Sequence, residues 1–192
     1  MIPLSQTQNT TQPVYLLFAP QNITFDVANL LINQVKGLID EGIIDIHILI
    51  SSAGGNVYSG LLIYNFLKGC PANITTHNMG SCDSVTAIIY AAGNRRLSVQ
   101  HGRFLMHGVS SNFSTNTTLS ETQLEERLST LRSDTNNIAG VLAEITGKQE
   151  SQIHQDMRQG LTLDPQQAIE YGIVHEIADS LYPAGARVIR VS

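Results

Sequence analysis

The sequence predicts a single α/β domain with much parallel strand pairing. Three observations carry this. Short apolar runs alternate with helix-periodic segments along the chain. The run Ile43–Ile50 is apolar on both faces, as in a strand covered on both sides. Two strand-to-helix junctions, Ser51–Asn56 and Gly80–Ser84, are small-residue turns. At 192 residues the chain suffices for one good core and is too short for two ordinary domains. Its 42% hydrophobic and 14% charged content excludes a disordered chain. The expected organisation is a flexible segment at 1–13, one domain at 14–179 and a tail at 180–192.

Taken in order, residues 5–12 are polar and aperiodic and read as a lead-in. Val14–Phe18 is a short strand stopped by Pro20. A helix follows from about Asp26 to Glu41, with Val27, Leu30, Leu31, Val35, Leu38 and Ile39 on one face and Gly42 after its end. After Ile43–Ile50 and its turn, Val57–Lys68 reads as a helix and Ile74–Met79 as a strand. Val85–Ala92 is a small apolar helix, and Arg96–Val99 and Arg103–His107 are short strands. The Ser/Thr/Asn-rich stretch 108–119 is a loop or mobile edge.

A long helix then runs from about Ser120 to Thr146, opened by a Ser120–Gln123 capping box. Leu124, Leu128, Leu131, Ile138, Leu142 and Ile145 form its apolar stripe, which suits packing either on its own core or on a partner subunit. Helices at about Glu150–Met157 and from Asp164-Pro165 to Gly172 follow, then a strand at Val174–Ile177 and a tail ending in Val188–Val191.

The net charge of −5 and the absence of any basic run beyond Arg95-Arg96 argue against a nucleic-acid partner. No segment reaches ~18 apolar residues, so no membrane span is expected. The start lacks the basic and apolar regions of a signal peptide, which makes the cytoplasm the expected location. The six histidines show no ligand spacing, so neither metal nor cofactor is expected. Cys70 and Cys82 read as buried free thiols.

Two turns bear on chemistry. Ala53-Gly54-Gly55 lets backbone N–H groups approach a ligand closely. Gly80–Ser84 puts Ser84 at a helix N-terminus, where free N–H groups favour developing negative charge. Together the turns can offer two donors to one oxyanion. Neither contains G-x-S-x-G, so an α/β-hydrolase elbow is not supported.

Four blocks in register resemble the proteolytic subunit of the Clp protease family. Ile48–Val57 resembles its I-N-S-P-G-G-x-V turn, and Gly80–Ala87 with Ala91-Ala92-Gly93 its G-x-A-A-S-M-G-A…A-A-G block. Arg103–His107 is similar to S-R-V-M-I-H, and Thr146-Gly147 with Ala168–Val174 to T-G…A-V-E-Y-G-L-V. The likeness runs from about Val14 to Ile177.

The resemblance implies a Clp/crotonase-type fold of repeated β-β-α units, with a protruding handle helix at about 119–147. It implies a serine endopeptidase in which Ser84 attacks the peptide carbonyl and His107 takes its proton. The backbone N–H groups of Gly55 and Val85 would form the oxyanion hole. It also implies polypeptide substrates, a homo-oligomeric heptameric ring or double ring, and a Clp-type unfoldase ATPase as partner.

The chain departs from the pattern in places. The triad aspartate position is Gly160, and the neighbouring arginine linked to ring stacking is Gln159. Asp83 stands where alanine usually precedes the serine. The Gly-rich strand after the histidine is replaced by Ser110–Asn116, and a short polar lead-in replaces the helix and axial loops that touch the ATPase. Three readings of Gly160 stay open. His107 is oriented by another group, with Asp156, Asp164 or a backbone carbonyl as candidates. Alternatively the site is a slower Ser–His dyad, or the chain is a non-catalytic ring scaffold or regulatory subunit. A crotonase-type acyl-CoA enzyme is a further alternative.

Overall fold

The computed structural model describes residues 12–110 and 118–191. The expected lead-in therefore lies almost wholly outside the described residues, as does most of the Ser110–Asn116 replacement. The elements are β1 (Val14–Phe18), α1 (Phe25–Asp40), β2 (Asp45–Ser52), α2 (Val57–Gly69), β3 (Asn73–Asp83), α3 (Val85–Ala91), β4 (Arg95–Ser98), β5 (Arg103–Met106), α4 (Glu121–Thr146), α5 (Glu150–Gln159), β6 (Leu161–Leu163), α6 (Pro165–Tyr171), β7 (Glu176–Ile177) and β8 (Arg187–Arg190).

The strands form one sheet in the order β6-β5-β3-β2-β1-β8, with β4 pairing β3 and β7. Every described pairing is parallel except β5 with β6. Leu16 and Phe18 of β1, Ile46, Ile48 and Ile50 of β2, and Leu31, Val35 and Leu38 of α1 are fully buried in the core they share. Helix ends follow local chemistry. Thr24 caps α1, Asn56 caps α2, and capping boxes open α4 (Ser120/Gln123) and α6 (Asp164/Gln167).

β3 positions the site. Its first half, Thr75–Asn78, pairs with β4, and its last residues, Ser81–Asp83, pair with β5. The strand continues through Gly80–Asp83, where a turn was expected. It does so because polar side chains pin the irregular corner. The Asn78 amide oxygen accepts from Gly80 N–H at 3.0 Å, its Nδ2 donates to Arg103 O at 3.0 Å, and Ser51 Oγ accepts from Ser81 N–H at 3.2 Å. Strand β2 likewise runs through Ser51-Ser52.

Two short strands go beyond the sequence expectations. β6 lies antiparallel against β5, and β8 adds the tail to the edge of β1. Cys82 is fully buried as expected, whereas Cys70 is only half-buried, its Sγ against Leu67 O at 3.3 Å; both are free. The long stripe of α4 divides. Ile138, Ala139 and Leu142 pack into the core, while Leu124 and Leu128 are 51% and 47% exposed. Among the described residues no helix is long and apolar enough to cross a membrane, and no cluster of ligand side chains could hold a metal ion.

Candidate active site

Ser84 sits at the junction of β3 and α3 with φ 57° and ψ −131°. It is the one non-glycine residue with positive φ among the described residues. That region is costly for an L residue and persists only where the surroundings enforce it. Here Ser84 N–H donates to Leu105 O at 2.7 Å and Ser84 O accepts from Ala87 N–H at 3.0 Å. The bend ends the strand and leaves Val85 and Thr86 at the first turn of α3, where N–H groups lack intrahelical acceptors.

The Gly54-Gly55 turn lies directly against the serine. A Cβ on Gly54, whose φ is +106°, would come within 2.7 Å of Ser84 Cβ. The turn is held from its other side by Ile23, which the sequence reading had not singled out. Ile23 N–H donates to Gly54 O at 2.8 Å, and Asn56 N–H donates to Ile23 O at 2.8 Å. Ile23 and Gly55 thus form a parallel bridge. In such a bridge the residue between the two bonded ones directs its own N–H to the opposite side. Gly55 N–H therefore faces away from Ile23. The clamp uses only backbone groups of Ile23, so the sequence carries no side-chain signal for it.

His107 follows β5 directly and is exposed. Its Nδ1 lies 2.8 Å from Gly108 O. With Nδ1–H donating to that carbonyl, Nε2 is the free acceptor, the tautomer a general base needs. Ser84 and His107 line one cavity of about 100 Å³, together with Gly55 and Gly108. Its apolar walls are Val57, Ala87, Ile88, Met106, Ile138, Leu142 and Met157. Beyond Gly55 and Val57 a wider groove opens beneath α4, bordered by Tyr58, Glu126, Thr130 and Asp134.

The two carboxylates considered for His107 are engaged elsewhere. Asp156 accepts from Tyr171 Oη at 2.5 Å and from Gln152 Nε2 at 2.9 Å. Burial, and then that carboxylate, push the Tyr171 phenol up. Asp164 caps α6 through a 2.8 Å bond from Gln167 N–H. Asp83 points to Arg103, which donates to it through Nε and Nη2.

Gly160 ends α5 in the left-handed conformation, φ +73°, with open space where a Cβ would be. The β5–β6 ladder ends at the pair Met106–Leu161, so His107 and Gly160 are the residues that flank its last pair. The group on the imidazole Nδ1 is the Gly108 carbonyl, and Gly160 carries no side chain.

Comparison with known proteins agrees with this architecture. The family model described as Clp protease matches residues 8–180. The chain is 30% identical over 186 residues to the ATP-dependent Clp protease proteolytic subunit 1 of Corynebacterium jeikeium, covering 92% of this chain and 97% of that protein. It is 31% identical over 163 residues to proteolytic subunit 2 of Chlamydia trachomatis, covering 83% and 78%. A solved structure, a point mutant of ClpP1 from Listeria monocytogenes, superposes with a TM-score of 0.75 at 25% identity, covering 87% of this chain and 91% of that one. The fold, the order of its elements and the family match agree: this chain belongs to the Clp protease family.

Proposed function

We propose that the chain is a serine endopeptidase in which Ser84 attacks the peptide carbonyl and His107 Nε2 accepts its proton. The observation that supports this is the Ser84 backbone, held at a positive φ that no other described non-glycine residue adopts, in a cavity that His107 also lines. The N–H groups of Gly55 and Val85 stabilise the tetrahedral oxyanion, Ile23 holding the first and the start of α3 supplying the second. The Gly108 carbonyl takes part of the role of a triad carboxylate by fixing the imidazole tautomer. It brings no full negative charge to stabilise the imidazolium. A slow enzyme is the consequence, since losing the aspartate of such a site costs up to ~10⁴ in kcat.

The apolar lining selects peptides with a modest apolar side chain beside the scissile bond. As the family likeness suggests, the assembly is a homo-oligomeric ring acting on polypeptides, with the cytoplasm as its place of action.

A fluorophosphonate probe tests the site. We expect covalent labelling that disappears in Ser84→Ala, and cleavage of short fluorogenic peptides that disappears in His107→Ala. Gly160 favours a second reading, a ring subunit without activity. A folded, assembled protein that is neither labelled nor active decides for that reading.

A further inference from the structure

The residue before the nucleophile is a buried charge. The Asp83 side chain is 5% exposed, between core residue Cys82 and the strained Ser84. A carboxylate without water requires a partner, or it opposes any negative charge forming nearby. Its partner is on the neighbouring strand. Arg103, at the start of β5, donates from Nε to Oδ1 at 3.3 Å and from Nη2 to Oδ2. The Arg103 side chain is 56% exposed, so its own charge stays largely solvated. The pair is therefore asymmetric: Asp83 depends on Arg103 far more than Arg103 depends on Asp83.

The location gives this asymmetry a consequence. In the proposed reaction an oxyanion forms at the N–H groups of Gly55 and Val85, the latter two residues from Asp83. The fork also spans the strands that carry nucleophile and base. β3 ends at Asp83 beside Ser84, and β5 runs from Arg103 to Met106 beside His107. We propose that Arg103 is a positioning residue of the active site. It cancels the Asp83 charge, so that the oxyanion forms in a locally neutral setting. This rests on the serine-peptidase reading.

Four variants test it: Arg103→Met, Arg103→Lys, Asp83→Ala and the double variant Asp83→Ala/Arg103→Met. Removing the guanidinium alone leaves a bare carboxylate. Arg103→Met is therefore expected to lose about tenfold in kcat on a fluorogenic peptide, with KM nearly unchanged. Arg103→Lys keeps most of the activity. Asp83→Ala stays within about twofold of the parent, and the double variant returns to the Asp83→Ala level.

Thermal midpoints read the same compensation without any assumption about catalysis. Arg103→Met falls by about 5 °C, and the double variant recovers. Full activity in Arg103→Met overturns the proposal. So does a double variant as slow as Arg103→Met, which would make the pair a structural staple. If the parent protein neither labels nor cleaves, the peptidase reading fails instead, and the order of the four midpoints still decides whether Arg103 compensates Asp83.

Discussion

At the scale of single residues, the site is defined by two backbone conformations that side-chain chemistry would not choose. Ser84 adopts a costly positive φ, and Gly54 lies so close beneath it that no side chain fits between them. Gly54→Ala is expected to disturb the site more than the fold as a whole. Its Cβ must displace Ser84, and its own φ of +106° disfavours any L side chain. Fluorophosphonate labelling should slow by 100-fold or more, on the order of losing an oxyanion donor. Circular dichroism should retain the parent spectrum.

Gly160 invites the opposite experiment. It is left-handed, unobstructed and adjacent to Leu161, the last β6 partner of β5, the strand that His107 follows. Aspartate tolerates that conformation better than most side chains. Gly160→Asp should raise kcat by tenfold or more, at the cost of about 1 kcal/mol in stability from backbone strain. A rate equal to the parent's would mean that the Gly108 carbonyl already supplies all the orientation the imidazole receives.

At the scale of elements, α4 serves two ends with one stripe. Its C-terminal half, at Ile138, Ala139 and Leu142, is core, and Ile138 and Leu142 also wall the cavity. Its N-terminal half presents Leu124 and Leu128 with no cover from the described part of the chain. An exposed apolar stretch on the same helix stripe suits packing on a second copy in the ring proposed above. Leu124→Ser/Leu128→Ser should shift the protein to smaller assemblies in analytical ultracentrifugation while leaving the midpoint of a dilute sample within about 2 °C.

This division also shows what the sequence can and cannot express. The period of the stripe is legible at 3.6 residues per turn, as are the caps at Ser120 and Asp164, because each depends on neighbours within four positions. Which half is buried depends on where the rest of the chain ends, and the period says nothing of that. The same holds at the site. Ser84 and His107, which line one cavity, are marked as candidates by blocks with side-chain identity. The Ile23 clamp, the β6 ladder against β5 and which backbone carbonyl meets His107 are not, because they are backbone contacts that any sequence could make. The continuation of β3 through Gly80 was hidden for a related reason. Its small-residue turn signal is overridden by Asn78 and Ser51, one of them in a different strand.

At the scale of the whole molecule, the sheet carries a titratable group in its interior. His77 on β3 is 1% exposed, flanked in register by Leu49 of β2 and Leu97 of β4. One ring nitrogen, Nε2, is buried without a hydrogen-bond partner, and the backbone of Ala178 lies beside the ring. Burial pushes its pKa below the ordinary histidine value; the Ala178 backbone opposes this, nearby His47 and Arg95 add to the lowering, and Asp179 opposes it. A histidine depressed in the folded state is neutral there while the unfolded chain takes up a proton. Stability is therefore greatest above the unfolded value of ~6.5 and falls as pH drops below it, until the folded group also protonates. Ala178 opens the segment that leads to β8, the strand the tail adds to the edge of β1. Protonation thus places a charge beneath the segment that anchors the tail. Between pH 7 and pH 5.5 the thermal midpoint should fall by roughly 3 °C, and amide exchange at Arg187–Arg190 should accelerate before that of β2. His77→Leu should flatten both responses, because a leucine fills the same apolar gap between Leu49 and Leu97 and takes up no proton. If His77→Leu keeps the full pH slope, the acid sensitivity lies instead with His47 or His175, whose pKa values burial also lowers, and the tail is not coupled to the sheet interior through His77.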